Sequence, residues 1–432
     1  MVIPKKKIFS SLRDSASFRE LLLNRKFIHL WISQICSQFS IRMVTLALIL
    51  NVFQATKSNI LVVLLIFAFA LPALIFGLPA GAYVDKHSRK NVLIITNLFQ
   101  SFLMFLFLFS RSNIFLTLFI IFIYATINQL YIPAESSMIP NLVPEKNLLS
   151  ANSLFMFTVY GSYIFGYGAA GPLMLLLGNN SPFILGGILL FIAFLSCLFL
   201  PAEEKRIKEK ISFKKVYSKV IKEAKEAYIF IKNKKSVSQS IWRLTIVQAI
   251  IGALAVLIPA YSDRVLKMDV RTASIIFITP VGLGTVLGAL LISKIGHKIN
   301  IHHLIKRIII SDGITIGLMG AIYPMGKYIK DLFNLTFLSY KSLLWLIGFL
   351  VLILGMENAM IIVGAQTEIQ KNTPYNIRGR VFGIFGIIVT IMALWPMFFM
   401  GALADIFSVT TVFILGGILM ILYGIFTQEY IQ

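Results

Sequence analysis

Charge is what this sequence has least of. Only 13% of its 432 residues are charged, and the acidic ones number just 18 against 40 Lys and Arg. With 58% hydrophobic residues and a mean hydropathy of +0.84, the chain has more apolar surface than a soluble core could absorb, which excludes a water-borne globule and makes it a membrane protein. Cysteine is scarce too. Cys36 and Cys197 both fall inside apolar runs, where a disulfide framework has no role, so they read as packing residues. The chain has no G-x-x-x-x-G-K-[ST] phosphate loop, no G-x-S-x-G, no H-E-x-x-H and no paired-cysteine zinc pattern. These absences argue against ATP-driven pumping by this chain and against an enzyme built into the membrane. The five histidines, at 29, 87, 297, 302 and 303, all avoid the middle of the apolar runs. That disfavours a histidine proton relay and a buried metal, so neither metal nor cofactor is expected.

What the chain does have is long apolar runs. A run of about 20 residues crosses roughly 30 Å of hydrocarbon as a helix. Such runs recur near 28–53, 59–83, 91–110, 114–134, 150–177, 182–200, 241–261, 272–292, 304–324, 342–365, 380–403 and 407–427. They predict an all-α membrane protein of twelve transmembrane helices in two six-helix bundles. The stretch 1–26 lacks an apolar core and a small-residue cleavage site, so it is expected to be a basic N-terminal arm and not a signal peptide.

The net charge of +22 would point to nucleic acid in a soluble protein, and its distribution decides otherwise. If the first residue is cytoplasmic and the spans alternate, 31 of the Lys and Arg residues lie inside and 8 outside, with Arg42 within a span. That asymmetry is the positive-inside rule, and it predicts both termini in the cytoplasm. The expected partners are therefore a small-molecule substrate and anionic inner-leaflet lipids, without nucleic acid, around a monomeric chain in the cytoplasmic membrane.

One long polar stretch, 201–240, divides a bundle at 27–200 from another at 241–432. Within it Phe213, Val216, Val220, Ala224, Ala227 and Ile231 recur at helical spacing, which predicts an amphipathic helix on the inner leaflet. The halves also match each other. Gly77 aligns with Gly284 and Gly81 with Gly288 at one offset, and Pro144 with Pro374 and Gly171 with Gly401 at a larger one. A loop near 325–341 is the expected site of the extra residues. Two six-span bundles related by a repeat suit an alternating-access carrier.

Between spans 2 and 3 lies "GAYVDKHSRK". Its Gly81, Asp85, Arg89 and Lys90 resemble the G-x-x-x-D-x-x-x-R-K signature of the major facilitator superfamily. The resemblance covers nearly the whole chain and narrows to the macrolide-efflux and siderophore-exporter branch of the drug:proton antiporters. It rests on "FIHLWISQICSQFS", "PNLVPEKNLLSAN", "RGRVFG" and "GALAD" in their order along the chain. The resemblance implies that Asp85 sits against the positive N-terminal end of span 11, where Arg378 and Arg380 add charge, as a latch between the halves. Gly81 would let helices approach closely there. The second half keeps the glycine, Gly288, but has Ile292 where Asp85 would map.

An ionisable side chain within a span costs roughly 2.5–3.5 kcal/mol on insertion scales, so each one asks for a purpose. Glu357, with Asn358 beside it, and Asp312 are candidates for proton coupling, because burial favours a carboxylic acid's protonated form. Glu135 is a third, although its place after Pro133 near a span boundary reads as a solvated helix end. Arg42 could attract an anionic substrate, with Asn358 a second binding candidate. Relatives carry an acid where this chain has Ile41 and an arginine where it has Tyr124. Span 5 resembles, in part, the glycine-rich antiporter motif of exporters through Gly161, Gly166, Gly168, Gly171 and Pro172, with Met174 and Leu175 in place of the usual glycine pair. The function expected is export of a small amphipathic, drug-like or siderophore-like compound. An importer, a lysophospholipid flippase or a non-transporting sensor on the same fold are the alternatives.

Overall fold

The computed structural model describes residues 19–110, 113–202, 222, 225–295, 301–333 and 340–426. Among the described residues twelve helical spans are long and apolar enough to cross a membrane, the eighth of them counted from the turns at Val270 that lead into its helix. They are α1 (Arg25–Thr56), α2 (Asn59–Val84), α3 (Arg89–Leu106), α4 (Ile114–Leu142), α5 (Leu148–Leu177), α6 (Ser181–Leu198), α7 (Lys235–Ala260), α8 (Thr279–Ile295), α9 (Ile301–Phe333), α10 (Tyr340–Asn372), α11 (Tyr375–Ile406) and α12 (Val409–Phe426). Helix is the form an apolar run must take in lipid, because it satisfies every backbone polar group within the segment.

Local chemistry sets the helix ends. Ser88 caps α3 by accepting from the Asn91 amide, and Asn113 caps α4 by accepting from the Leu116 amide. After α5 the chain turns at Gly178, whose φ of +87° favours a residue without a Cβ.

Several helices depart from the predicted spans, α4 and α10 by running past their C-terminal limits to Leu142 and Asn372. Residues 325–333, read as loop, continue α9, where Gly326 makes room for the Leu343 side chain. The eighth span is not one regular helix: a 3-10 turn at Val270–Thr272 and a π turn at Ser274–Ile278 precede α8. Residues 225–233 are helical, with Ala227 and Ile231 buried one turn apart, while Phe213, Val216, Val220 and Ala224 lie outside the described residues.

By Cα proximity the chain forms two compact units, Met1–Leu48 with Ala68–Val216, and Ile49–Phe67 with Tyr217–Gln432. In the first unit α3 packs along α6 and α4. A core of Phe27, Leu30, Leu93, Tyr131 and Met138 also takes in Leu21, which precedes α1. In the second unit α9 packs along α12, α8 along α10 and α7 along α11.

The seven residues "FILGGIL" occur twice, at 183–189 in α6 and 413–419 in α12. The second glycine of each pair faces the third helix of its own half. A Cβ on Gly187 would lie 2.8 Å from the Phe105 ring of α3, and one on Gly417 would lie 2.5 Å from the Gly313 carbonyl of α9. Large apolar side chains point outward, as a lipid-facing surface requires: Phe102 is 62% exposed and Trp345 81%.

The paired glycines of the two halves do different work. Cβ atoms on Gly284 and Gly288 would lie 2.0 and 2.2 Å from the carbonyls of Leu352 and Met356, and one on Gly355 would lie 2.2 Å from that of Val281. These three residues bring α8 and α10 into backbone contact. A Cβ on Gly81 meets no described atom within 4 Å, whereas its counterpart Gly288 lies on the α10 backbone.

Candidate functional site

Asp312 and Glu357, 45 positions apart in sequence, meet between α9 and α10 in the second unit. Asp312 is fully buried and Glu357 is 5% exposed. The Glu357 Oε1 accepts from the Ser311 hydroxyl, and its Oε2 accepts from Thr315 Oγ1 at 3.2 Å. Ser311 and Thr315 stand one turn apart on α9, so together they orient a carboxylate presented by α10. Asp312, adjacent to Ser311, is turned toward the same acid. Apart from Glu357, neither of its oxygens has a hydrogen-bond partner among the described residues, and no described Lys, Arg or His pairs with either carboxyl. Two negative charges in a dry site with no described cation are mutually destabilising, so an acid pair of this kind can hold a proton between its two carboxyls. Asn358 lies next to Glu357 on α10, and its Oδ1 is also buried without a partner.

A second cluster surrounds Arg42 in the first unit. Its guanidinium carbon stands 4.0 Å from the centroid of the Tyr163 ring, and the Tyr167 hydroxyl is within hydrogen-bonding reach. Both tyrosines come from α5, which can approach because Gly166 sits on the Arg42 stem: a Cβ there would lie 2.8 Å from the Arg42 Cβ. No described acid pairs with Arg42, and its Nε is buried without a partner. Tyr124 of α4 is fully buried in the field of Arg42, and its hydroxyl too is unsatisfied. A cation without a described acid, beside an unpaired hydroxyl, can receive an anionic oxygen group. Gly161, Gly168, Gly171 and Pro172 lie along the same helix.

Glu135 is not the solvated end that its position predicted. It is 8% exposed and accepts from Tyr131 Oη at 2.6 Å. The α4 helix continues past Pro133 to Leu142, which carries Glu135 into the core instead of out of it. Nearby, Asn97 Nδ2 donates to Ser33 Oγ at 3.2 Å and to Cys197 Sγ at 3.4 Å.

In the α2–α3 turn, Arg89 is buried and donates to the Ser137 carbonyl at 2.8 Å, and Lys90 Nζ donates to the carbonyls of Leu198 and Leu200. These two basic residues tie α3 to α4 and to the end of α6. Asp85 is exposed and its carboxylate has no partner among the described residues. Arg378 and Arg380 lie in the first turns of α11, and their side chains fall outside the described residues.

Three buried or paired charged residues escaped the sequence reading. Glu368 of α10 is buried and accepts from Ser240 Oγ at 2.9 Å, although it lies beyond the apolar run assigned to its span. Asp405 and Arg264 meet near the start of α2. The repeat of G-x-x-x-D at 81–85 and 401–405 was the available signal for Asp405.

Twelve apolar helices carrying an acid pair and an uncompensated cation define a polytopic membrane transporter. The sequence model of the Major Facilitator Superfamily matches residues 30–396, and the chain belongs to that family. It is 22% identical over 386 residues to the uncharacterized MFS-type transporter YfiS of Bacillus subtilis (strain 168), covering 88% of this chain and 87% of that one. To the uncharacterized MFS-type transporter YkuC of the same organism it is 23% identical over 378 residues, covering 84% and 82%. Among solved structures, the nucleoside transporter NupG superposes with a TM-score of 0.70 at 13% identity, covering 94% of this chain and 100% of that one. At that identity the likeness shows the fold alone.

Proposed function

We propose that this transporter exports a small amphipathic compound bearing an anionic group, by alternating access and in exchange for protons. The observation that carries the reading is the Asp312–Glu357 pair, buried, tethered by Ser311 and Thr315, and without a cation among the described residues. Arg42 with Tyr124, Tyr163 and Tyr167 supports an anionic group on the substrate. The direction rests on the resemblance of α5 to the exporters' glycine-rich motif. The protein acts as a monomer in the cytoplasmic membrane with both termini inside, its basic linker drawn to anionic lipid heads.

Substrate-dependent proton movement in proteoliposomes tests this, using a pH-sensitive dye and a panel of macrolides, lipophilic cations and catecholate siderophores. A dye signal with any compound supports proton-coupled export. Silence across the panel from folded protein overturns it and moves the lipid-flippase and sensor readings ahead.

Arg42→Gln removes the charge and keeps a hydrogen-bonding side chain. It raises the KM for anionic substrates by on the order of 10- to 100-fold, the worth of a charge-assisted hydrogen bond, while uncharged analogues keep theirs. Equal losses for both classes assign Arg42 to packing. Asp85→Asn leaves expression intact and lowers turnover if Asp85 forms, in another state of the cycle, the latch that the resemblance implies, because the change spares the substrate cluster. Unchanged transport discards the latch.

A further inference from the structure

The helices α2 and α11 close on the same pattern, Gly81 to Asp85 and Gly401 to Asp405. The second copy is engaged at the start of α2, the end of that helix away from Asp85. Asp405 Oδ2 accepts from the amides of Asn59 at 2.9 Å and Ile60 at 3.3 Å and from Ser58 Oγ at 3.2 Å. Its Oδ1 accepts from Asn59 Nδ2 at 2.8 Å. The first amides of a helix have no partner within it, and the helix dipole favours a negative charge there. Asp405 thus does from α11 what a capping side chain ordinarily does from the helix's own chain.

The glycine four residues earlier makes this possible. A Cβ on Gly401 would lie 3.0 Å from Val63 Cγ2 and 3.6 Å from the Asn59 carbonyl. Arg264, from a second π turn at Tyr261–Val265 that directly follows α7, closes the cluster. Its Nη2 donates to Asp405 Oδ1 at 3.1 Å and to the Lys57 carbonyl, and its Nη1 donates to the Ala404 carbonyl at 3.1 Å. Lys57 has a φ of +53°, a left-handed conformation that a lysine rarely adopts and that the Arg264 bond helps to hold. The neighbouring Lys57–Asp263 ion pair is 2.8 Å long, with side chains 54% and 33% exposed, so it adds little. The Asp405 carboxylate on the helix amides is the stronger element.

All these residues belong to the second unit, which takes Ile49–Phe67 from α1 and α2 while the rest of both helices belongs to the first. We infer that Asp405, Gly401 and Arg264 form a releasable clamp on the N-terminus of α2. It opens once per transport cycle and is the counterpart, at the other end of the same helix, of the latch at Asp85. The inference rests on the reading of the chain as an alternating-access carrier.

Cysteine accessibility tests it. Val63→Cys places a thiol against Gly401, in a protein whose own Cys36 and Cys197 are buried. Adding Asp405→Asn raises the rate at which a polar maleimide modifies that thiol by on the order of tenfold, the loss of a charge-assisted bond. Adding Asp85→Asn instead lowers it, and the two together return it toward the parent, a compensation that a merely structural role for Asp405 would not produce. An unchanged rate with Asp405→Asn overturns the clamp. A response to Asp405→Asn without one to Asp85→Asn sinks the Asp85 latch and leaves the clamp standing.

A second variant does not depend on accessibility. Val63→Cys with Gly401→Cys removes the close Cγ2 contact and brings two thiols within bonding range. Oxidation abolishes transport and reductant restores it if the clamp must open. Parental transport through the cross-linked protein overturns the proposal.

Discussion

Glu357→Gln abolishes the response of transport to a pH gradient while leaving exchange of substrate for substrate intact. The amide keeps the shape of the side chain and an oxygen for the Ser311 hydroxyl, so the packing between α9 and α10 survives. What it removes is the ability to release and rebind a proton. The fully buried Asp312 has no other charged partner among the described residues, and next to an amide it loses its one ionisable neighbour. Asp312→Asn therefore impairs coupling as well. The double variant is no worse than either single one, because residues acting as one unit give non-additive effects. Gradient-driven and counterflow transport, measured side by side in proteoliposomes, check all three. A Glu357→Gln protein that still follows the gradient removes the pair as the coupling site.

The second large effect is on folding. Gly288→Ala and Gly355→Ala each place a methyl group 2.2 Å from a backbone carbonyl across the α8–α10 seam. A flexible side chain could turn away from such a clash, but a helix backbone must move as a whole, and overpacking of this kind costs about 1–3 kcal/mol or more. Gly386→Ala supplies the control, since a Cβ there meets no described atom within 4 Å. That change gains up to about 1 kcal/mol of helix propensity. Thermal unfolding in detergent should show the two seam variants falling below the parent and the control at or above it. Equal midpoints would mean that α8 and α10 do not depend on backbone contact. The seam also sets the position of Glu357, two residues beyond Gly355, so the two predictions are linked through one helix.

The seam illustrates why some of the molecule could be read in linear order and some could not. The match of Gly77 and Gly81 with Gly284 and Gly288 was visible as a pattern, yet the pattern did not say which pair is pressed against a neighbour. In the structure it is the second, and Gly81 has no described atom against it. Glu135 was misjudged for a similar reason. Proline at 133 is a boundary signal in water, whereas in a membrane bundle the helix runs through it, and the carboxyl meets Tyr131 inside. The repeated "FILGGIL" and the repeated G-x-x-x-D were both in plain view. They acquire meaning once Gly187 is seen on α3 and Gly417 on α9, and once Asp405 is seen on the amides of α2.

Hydropathy over about 20 residues is a local property, so the all-helical class, the twelve spans and the membership of a transporter family were accessible from the order of residues alone. Which charges share an environment is a property of helix packing. Asp312 and Glu357 become one acid pair, Arg42 becomes a cation beside tyrosines with no described acid, and Asp405 becomes a cap on α2 because side chains far apart in sequence lie on facing helices. Their chemistry follows from the low dielectric and the missing or present partner at each place, and those exist only once the helices are assembled.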